Sequence, residues 1–84
     1  MKLLFCANCG DIFNLSYDEK HCSCGVTSGT IQIDGTAVYH GDAVPLGFCD
    51  PEFDNAILNK PKTGKAIEFL AFVIPENAET FVKQ

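Results

Sequence analysis

Four of the five cysteines form two closely spaced pairs, and this spacing is the strongest chemical signal in the chain. The first pair lies in Cys6-Ala7-Asn8-Cys9 and the second in Cys22-Ser23-Cys24, and a glycine follows each pair. Two such pairs, joined by a short hairpin, can place four thiolates at the corners of a tetrahedron, which is the geometry of structural zinc sites. We therefore predict that Zn²⁺ is bound by Cys6, Cys9, Cys22 and Cys24.

Two other ligand arrangements stay open at this point. Iron is the alternative to zinc, because four cysteinates hold it in much the same geometry. His21 is an alternative ligand beside Cys22, since only one residue separates the cysteines of the second pair. Disulfides would need an oxidising compartment, and nothing in the sequence indicates one.

Cys49 is the odd cysteine, and its neighbours favour packing over catalysis. It lies between Phe48 and Asp50, where a small apolar side chain suits the interior. A nucleophilic thiol would need an activating base, and His40 and His21 are the only candidates. An enzyme that uses Cys49 is therefore the last of the functional alternatives.

Tyr39, His40 and Asp42 are clustered around a turn, and they are the candidate residues for a polar ligand-binding patch. No glycine-rich phosphate loop, pair of carboxylates or Ser/His/Asp arrangement stands beside them. A metal held by four cysteines also has no open position for a substrate. We therefore predict that the protein is not an enzyme.

Composition and net charge indicate a single small domain and disfavour nucleic acid as its partner. A chain of 84 residues that is 46% hydrophobic is one small domain whose core needs a covalent or metal staple. The net charge of -5 disfavours nucleic acid as a partner, because such binding depends on neutralising phosphates. No signal peptide or membrane span is recognisable, so we expect a soluble, cytoplasmic protein without a membrane partner.

The elements around the cysteines are short strands. Residues 3–5 lead into the first pair, residues 11–15 lead out of it, and a turn over residues 16–20 returns the chain to the second pair. Gly10 and Gly25 are expected at positive φ, because a backbone that wraps its amides around a thiolate often needs that conformation.

A β-rich region follows the second pair. Asp34-Gly35 predicts a type I′ hairpin between residues 30–33 and 36–40, with Ile31 opposite Val38. Gly41-Asp42 predicts a second turn into residues 43–48. We expect a three-stranded meander whose last strand lies at an edge, since Pro45 has no backbone donor.

One short helix and one apolar strand complete the expected elements. Asp50 as N-cap and Pro51 at the first helical position predict a helix near residues 51–59 that ends before Pro61. Residues 66–74 are apolar on both alternating faces and predict a strand that is buried on both sides. A second subunit would cover it in a homodimer, whereas in a monomer the helix and the meander would do so. A short strand near residues 80–82 ends the chain.

The predicted fold class is α+β, mainly β, with an N-terminal zinc ribbon joined to a small antiparallel sheet and one short helix. We expect a single domain over residues 1–84, made of a zinc-ribbon segment over residues 1–25 and a β-rich body over residues 26–84.

The cysteine motifs resemble a known type of zinc-binding segment. The run from Cys6 to Leu15, followed by Cys22-Ser23-Cys24-Gly25, is similar to zinc ribbons with rubredoxin-like knuckles. With Ala37-Val38-Tyr39 and Pro45-Leu46-Gly47-Phe48, the pattern resembles small uncharacterised proteins of bacteria and their phages. That resemblance implies a zinc ribbon on a β-rich body, with the four paired cysteines at the metal positions, and it implies no activity.

The function predicted from these observations is a zinc-stabilised binding module that recognises a protein or a small ligand. A rubredoxin-like iron protein that carries electrons is the first alternative, although the C-x-C spacing counts against it. A nucleic-acid-binding zinc ribbon is the second, and the negative charge counts against it.

Overall fold

The computed structural model describes residues 1–84 and confirms the predicted fold class, mainly β with one short helix. The elements in chain order are β1 (Lys2–Cys6), β2 (Ile12–Asn14), β3 (Lys20–His21), β4 (Ser28–Ile31), β5 (Ala37–His40), β6 (Ala43–Phe48), α1 (Asp50–Leu58), β7 (Ala71–Val73) and β8 (Phe81–Lys83).

The strands form two four-stranded sheets. The first sheet has the order β2-β1-β6-β7, and all of its neighbours are antiparallel. The second has the order β3-β4-β5-β8, in which β8 runs parallel to β5. Each cysteine pair therefore adjoins a different sheet: the first pair follows β1, and the second follows β3.

The core joins the two sheets. Leu4 of β1 packs with residues of β5 and β8, among which the rings of Tyr39 and Phe81 meet edge to face at a centroid distance of 6.3 Å. Leu15 and Ala37 complete this buried cluster. Because β1 contributes to the core and also carries Cys6, the segment over residues 1–25 is built into the body through strand pairing.

The predicted three-stranded meander is wrong, since β6 belongs to the other sheet from β5. Gly41, at a φ of 98°, turns the chain from one sheet into the other, and β8 takes the place beside β5. Pro45 therefore lies in an interior strand rather than at an edge. The carbonyl of Pro45 accepts a hydrogen bond from Ile74 N–H at 2.9 Å. Because β7 ends at Val73, the N–H that proline lacks would lie beyond the end of the β6–β7 pairing, and no strand hydrogen bond is lost.

The hairpin after β4 forms where it was predicted, with a different turn. Gly35 has a φ of 86° but no non-glycine residue has a positive φ, so the type I′ turn is wrong. The N–H of Gly35 donates to the carbonyl of Gln32, which makes a three-residue loop with glycine at the left-handed position. The register consequently places Ile31 opposite Ala37 instead of Val38.

The helix α1 begins one residue earlier than predicted, and its N-cap is Cys49 instead of Asp50. Its packing is aromatic: the ring of Phe53 lies 5.1 Å from the rings of both Phe48 and Phe69, measured between centroids. No helix in the structure has the length and apolar character needed to cross a membrane.

The apolar segment over residues 66–74, predicted as one strand, forms a strand only at β7. Most of its residues are exposed to solvent. All three residues of β7 are exposed, and β7 is the last strand of its sheet. Burial on both faces is therefore not achieved within the chain. The C-terminal strand β8 lies one residue beyond its predicted position.

Candidate metal centre

The two cysteine pairs form related backbone turns. Gly10 N–H donates to the carbonyl of Cys6 at 2.8 Å, and Gly25 N–H donates to the carbonyl of Cys22 at 3.1 Å. Both glycines have positive φ, 77° and 79°, as the sequence predicted. The second turn is one residue shorter because only Ser23 separates its cysteines, and it still places its glycine at the corresponding bend.

The two turns bring four sulfur atoms together. The Sγ atoms of Cys6, Cys9, Cys22 and Cys24 all lie within 4.8 Å of one another. Cys6 Sγ is 3.8 Å from Cys24 Sγ, and Cys22 Sγ is 3.4 Å from Cys24 Sγ. A tetrahedron with metal–sulfur bonds of about 2.3 Å has sulfur–sulfur edges of about 3.8 Å, so the cluster has the dimensions of a tetrathiolate metal site.

Burial divides the four cysteines into two kinds. Cys6 and Cys22 are buried, with exposed fractions of 0% and 5%. Cys9 and Cys24 are exposed. The site therefore lies at the edge of the fold, with one side against the body and the other open to solvent, so that an ion can enter without unfolding of the sheets.

Hydrogen bonds to sulfur reach both cysteines of the second pair. The side-chain amide of Asn8 donates to Cys24 Sγ at 3.3 Å, and Thr27 N–H donates to Cys22 Sγ at 3.3 Å. Donors of this kind favour the ionised form of a thiol and so favour metal binding.

A carboxylate links the two turns directly. Asp11 Oδ2 accepts hydrogen bonds from the backbone N–H of Ser23 at 3.0 Å and from its hydroxyl at 3.1 Å. Asp11 follows the first turn, and Ser23 lies inside the second. This contact holds the two cysteine pairs in register independently of an ion.

The surroundings change the pKa values of three of the thiols. Burial raises the pKa of Cys22, but hydrogen bonds from Thr27 N–H and from neighbouring thiols outweigh that effect and lower it to about 6. Hydrogen bonding with the Thr27 side chain is the largest influence on Cys6, whose pKa is lowered although burial opposes it.

Cys9 shifts in the opposite direction. Backbone hydrogen bonds from Asp11 and Cys24 lower its pKa. Partial desolvation of its sulfur by neighbouring groups and hydrogen bonding with the Cys24 and Cys6 thiols raise it, and the net result is a raised value. The cluster therefore shares protons unevenly, as expected of thiols in van der Waals contact, and a divalent ion would replace those protons.

The other predicted candidates lie outside the cluster. His21 is exposed in β3, where it pairs with Ser28, and it is not among the clustered ligands. Cys49 is half-buried at the start of α1, also outside the cluster. The four-cysteine set needs neither of them.

The residues proposed as a ligand-binding patch are divided by the fold. Tyr39 is 1% exposed and belongs to the core, where burial and the nearby charge of Glu76 raise its pKa. His40 and Asp42 remain at the surface. The carbonyl of Asp42 accepts a hydrogen bond from Ala7 N–H at 2.9 Å, which connects this turn to the first cysteine pair.

Thr27 and Asp11 contribute to the site although sequence reasoning missed them. Each accepts, through its carbonyl, the N–H of the first cysteine of a pair: Cys22 donates to Thr27 at 2.9 Å and Cys6 donates to Asp11 at 2.8 Å. Each of them lies five residues after the first cysteine of its pair. This common position could have indicated their role only if the two turns were already known to be equivalent.

No known protein family, curated protein or solved structure matches this chain.

Proposed function

We propose that this protein is a zinc-stabilised binding module without enzymatic activity. The observation that carries the proposal is the cluster of four cysteine sulfur atoms, which all lie within 4.8 Å of one another. Four thiolates saturate a tetrahedral ion and leave no open position for a substrate or a catalytic water, so the ion acts in folding. Such a site requires reduced thiols, which is consistent with the cytoplasm.

Metal analysis tests the first part of this proposal. Protein purified without added metal should contain one zinc per chain by elemental analysis and by native mass spectrometry. Iron in place of zinc would support the electron-carrier alternative, and it would show strong visible absorption that a zinc protein lacks. Absence of any tightly bound metal would contradict the metal centre itself.

A surface beside β7 supports the binding part of the proposal. We define the β7 surface by its five apolar residues, Ile67, Leu70, Ala71, Phe72 and Val73. Leu70 is 62% exposed, Phe72 49% and Val73 67%. Contiguous apolar residues on a small protein mark an interaction site or an aggregation hazard.

The backbone of β7 adds unpaired hydrogen-bonding groups to this apolar surface. The carbonyl of Leu70 and the N–H of Ile74 bond towards β6, at 2.8 and 2.9 Å. By the alternation of an antiparallel strand, Ala71 and Val73 direct their N–H and carbonyl groups away from β6, where the sheet has no further strand. This is an edge on which a partner strand can be added.

We propose a second copy of the chain as the partner. An antiparallel β7–β7 pairing about a two-fold axis would satisfy the free backbone groups of both chains and cover the same apolar residues twice. It would also explain why a segment with apolar residues on both alternating faces is exposed in the isolated chain.

The test is the mass in solution over a concentration series. Light scattering should give a dimer at micromolar concentrations, and Val73→Glu should give a monomer because each copy would bury a charge against the apolar residues of the other. Ile33→Glu is the matched control, since Ile33 is 100% exposed on the hairpin loop away from β7 and its replacement should leave the dimer intact. A monomeric mass for the unmodified protein throughout that range would rule out the second copy.

The charge of the molecule supports a partner other than nucleic acid. The formal charge is -5, and a zinc ion with four thiolates lowers it by about two more. Salt-dependent binding of DNA or RNA at physiological ionic strength would overturn this part of the proposal.

A further inference from the structure

Asn8 lies inside the loop of the first cysteine pair, but its side chain is bonded to the second pair. The amide nitrogen Nδ2 of Asn8 lies 3.3 Å from Cys24 Sγ, and the two residues are 16 positions apart in sequence. Cys24 is the last cysteine of the shorter loop and, like Asn8, is exposed to solvent. The bond is therefore a contact between the two cysteine loops on the open side of the cluster.

The usual local reasons for an asparagine in a turn do not apply to Asn8. Asparagine tolerates positive φ better than most residues, and its side chain often bonds to the backbone two residues further on. No non-glycine residue of this chain has a positive φ. The hydrogen bond that the Asn8 side chain donates goes to Cys24 and not to its own loop. The long-range contact with sulfur is thus the structural role of this amide.

The length of the second loop explains why Cys24 takes a donor from outside it. Two residues separate the cysteines of the first pair, whereas Ser23 alone separates Cys22 and Cys24. A shorter loop has fewer backbone amides that can be directed at sulfur. Thr27 N–H, which follows the loop, reaches Cys22 Sγ at 3.3 Å. For Cys24 Sγ, the donor is the side chain of Asn8 in the other loop.

A second contact between the loops determines what Asn8 acts on. Asp11 Oδ2 accepts hydrogen bonds from Ser23 N–H at 3.0 Å and from the Ser23 hydroxyl at 3.1 Å. Ser23 is the residue next to Cys24, so this carboxylate holds the second loop against the first without the help of Asn8. The Asn8 amide consequently acts on the side chain of Cys24, and its removal should leave the two loops together.

We propose that Asn8 is a positioning residue of the metal centre, which holds the Cys24 sulfur in its ligand position by a hydrogen bond from the other cysteine loop. The inference rests on the proposed metal centre. A metal-bound thiolate accepts hydrogen bonds and donates none, so the nitrogen of the amide, and not its oxygen, faces Cys24 in the loaded protein. The bond stabilises the charge of an exposed thiolate, which slows release of the ion and reaction of that sulfur with electrophiles.

Cobalt substitution tests this with a spectroscopic readout. Co²⁺ bound by four thiolates gives visible bands of a tetrahedral ion and sulfur-to-cobalt charge-transfer bands in the near ultraviolet. Asn8→Leu removes the amide at similar size and adds no charge. We expect this variant to shift the charge-transfer bands to lower energy and to weaken Co²⁺ binding by about tenfold, the lower end for groups that orient metal ligands, because Asn8 is exposed.

Two further variants control this measurement. Asn8→Gln keeps the amide on a side chain one methylene longer and should recover part of the lost affinity. Asn14→Leu makes the same replacement at an exposed residue of β2 and should change neither the bands nor the affinity. Unchanged bands and affinity in Asn8→Leu, or equal changes in Asn8→Leu and Asn14→Leu, would overturn the proposal.

Alkylation of the zinc-loaded protein separates positioning of one sulfur from general loosening of the site. Cys9 and Cys24 are both exposed, so Cys9 is an internal control for Cys24. With N-ethylmaleimide, we expect Asn8→Leu to accelerate the first modification at Cys24 several-fold and to change the rate at Cys9 little, because Cys24 alone loses its donor. Mass spectrometry of peptides taken early in the reaction locates the modified cysteine. Equal acceleration at both cysteines would contradict the proposal.

A measurement on the unmodified protein covers the case in which Asn8→Leu does not fold. With ¹¹³Cd in the site, one Nδ2 proton of Asn8 should show scalar coupling to cadmium through Cys24 Sγ. A metal-loaded protein without that coupling would contradict the inference and leave the metal centre standing. Failure to bind Co²⁺ or Cd²⁺ at all would instead remove the metal centre, and the inference with it.

Discussion

The sulfur atoms of Cys6 and Cys24 lie 3.8 Å apart although one belongs to the turn after β1 and the other to the turn after β3. Strands of two different sheets therefore lead to one site. A metal ion bound there would link the two sheets to each other. For a chain of 84 residues, such an ion can supply the stability that a small core lacks.

Replacement of a cysteine of the cluster should therefore reduce both the metal content and the stability of the whole fold. In Cys9→Ser we expect the metal content to fall well below one ion per chain and the unfolding temperature to fall with it, because serine is a poor zinc ligand. Cys49→Ser is the control, since Cys49 lies outside the cluster and should retain the full metal content. Elemental analysis and thermal unfolding measure both effects. Equal loss of metal in the two variants would refute the ligand assignment.

Removal of the ion should loosen the second cysteine turn before the core. This turn is attached to β3, which has only two residues, both exposed, and pairs only with β4. After chelation we expect amide hydrogen exchange to accelerate around residues 20–27 first, whereas β5 and β8, which hold the buried residues Tyr39 and Phe81, stay protected longer. Simultaneous loss of protection in both regions would indicate that the ion supports the whole fold as one cooperative unit.

Gly41 and Gly35 form a matched pair of positive-φ glycines. A Cβ at Gly35 would meet no atom within 4 Å, whereas one at Gly41 would lie 2.5 Å from the Val26 carbonyl oxygen. Gly35→Ala should lower the free energy of unfolding by about 1–2 kcal/mol, the cost of the left-handed backbone alone. Gly41→Ala should cost roughly 1–3 kcal/mol more, because the backbone must shift as well. Denaturant unfolding compares them, and equal losses would contradict the close approach seen at Gly41.

Ionisation of the buried Tyr39 side chain should lower the free energy of unfolding at alkaline pH. Burial and the charge of Glu76 raise its pKa in the folded chain above the ordinary value of about 10. The unfolded chain therefore releases this proton at a lower pH, so the stabilising contribution is complete below about pH 10 and is lost as the pH rises through the folded value.

Two tyrosine variants separate this effect from other alkaline changes. Tyr39→Phe should reduce the fall in the free energy of unfolding above pH 10. Tyr17→Phe should leave the fall unchanged, because Tyr17 is 73% exposed. Denaturant unfolding at pH 9, 10 and 11 provides the comparison, and identical pH profiles for Tyr39→Phe and the unmodified protein would show that ionisation of Tyr39 is not responsible.

The local features of the site follow from sequence. The spacing of the cysteines and the glycine after each pair predicted both turns, and Gly10 and Gly25 have the expected positive φ. The helix was placed to within one residue, because Pro51 favours a helix start and Pro61 prevents its continuation. These features depend on the conformations of a few adjacent residues, which is why their types alone are informative.

The pairing of distant strands was decided only by the tertiary structure. The sequence predicted β6 beside β5, whereas β6 pairs with β1, and β8 at the far end of the chain lies parallel to β5. An extended segment can form the same backbone hydrogen bonds with any neighbour, so the choice depends on which arrangement buries the core around Leu4 and Phe81.

The same reason explains which site residues were missed. Thr27 belongs to neither cysteine motif, and its place between Cys22 and Gly41 exists only because the turn between the two sheets folds back over it. Tyr39 shows the reverse case, a residue that looks polar and accessible in sequence but is buried against Phe81. Local sequence determined the two turns that carry the four clustered cysteines, and the burial of residues distant in sequence determined what surrounds them.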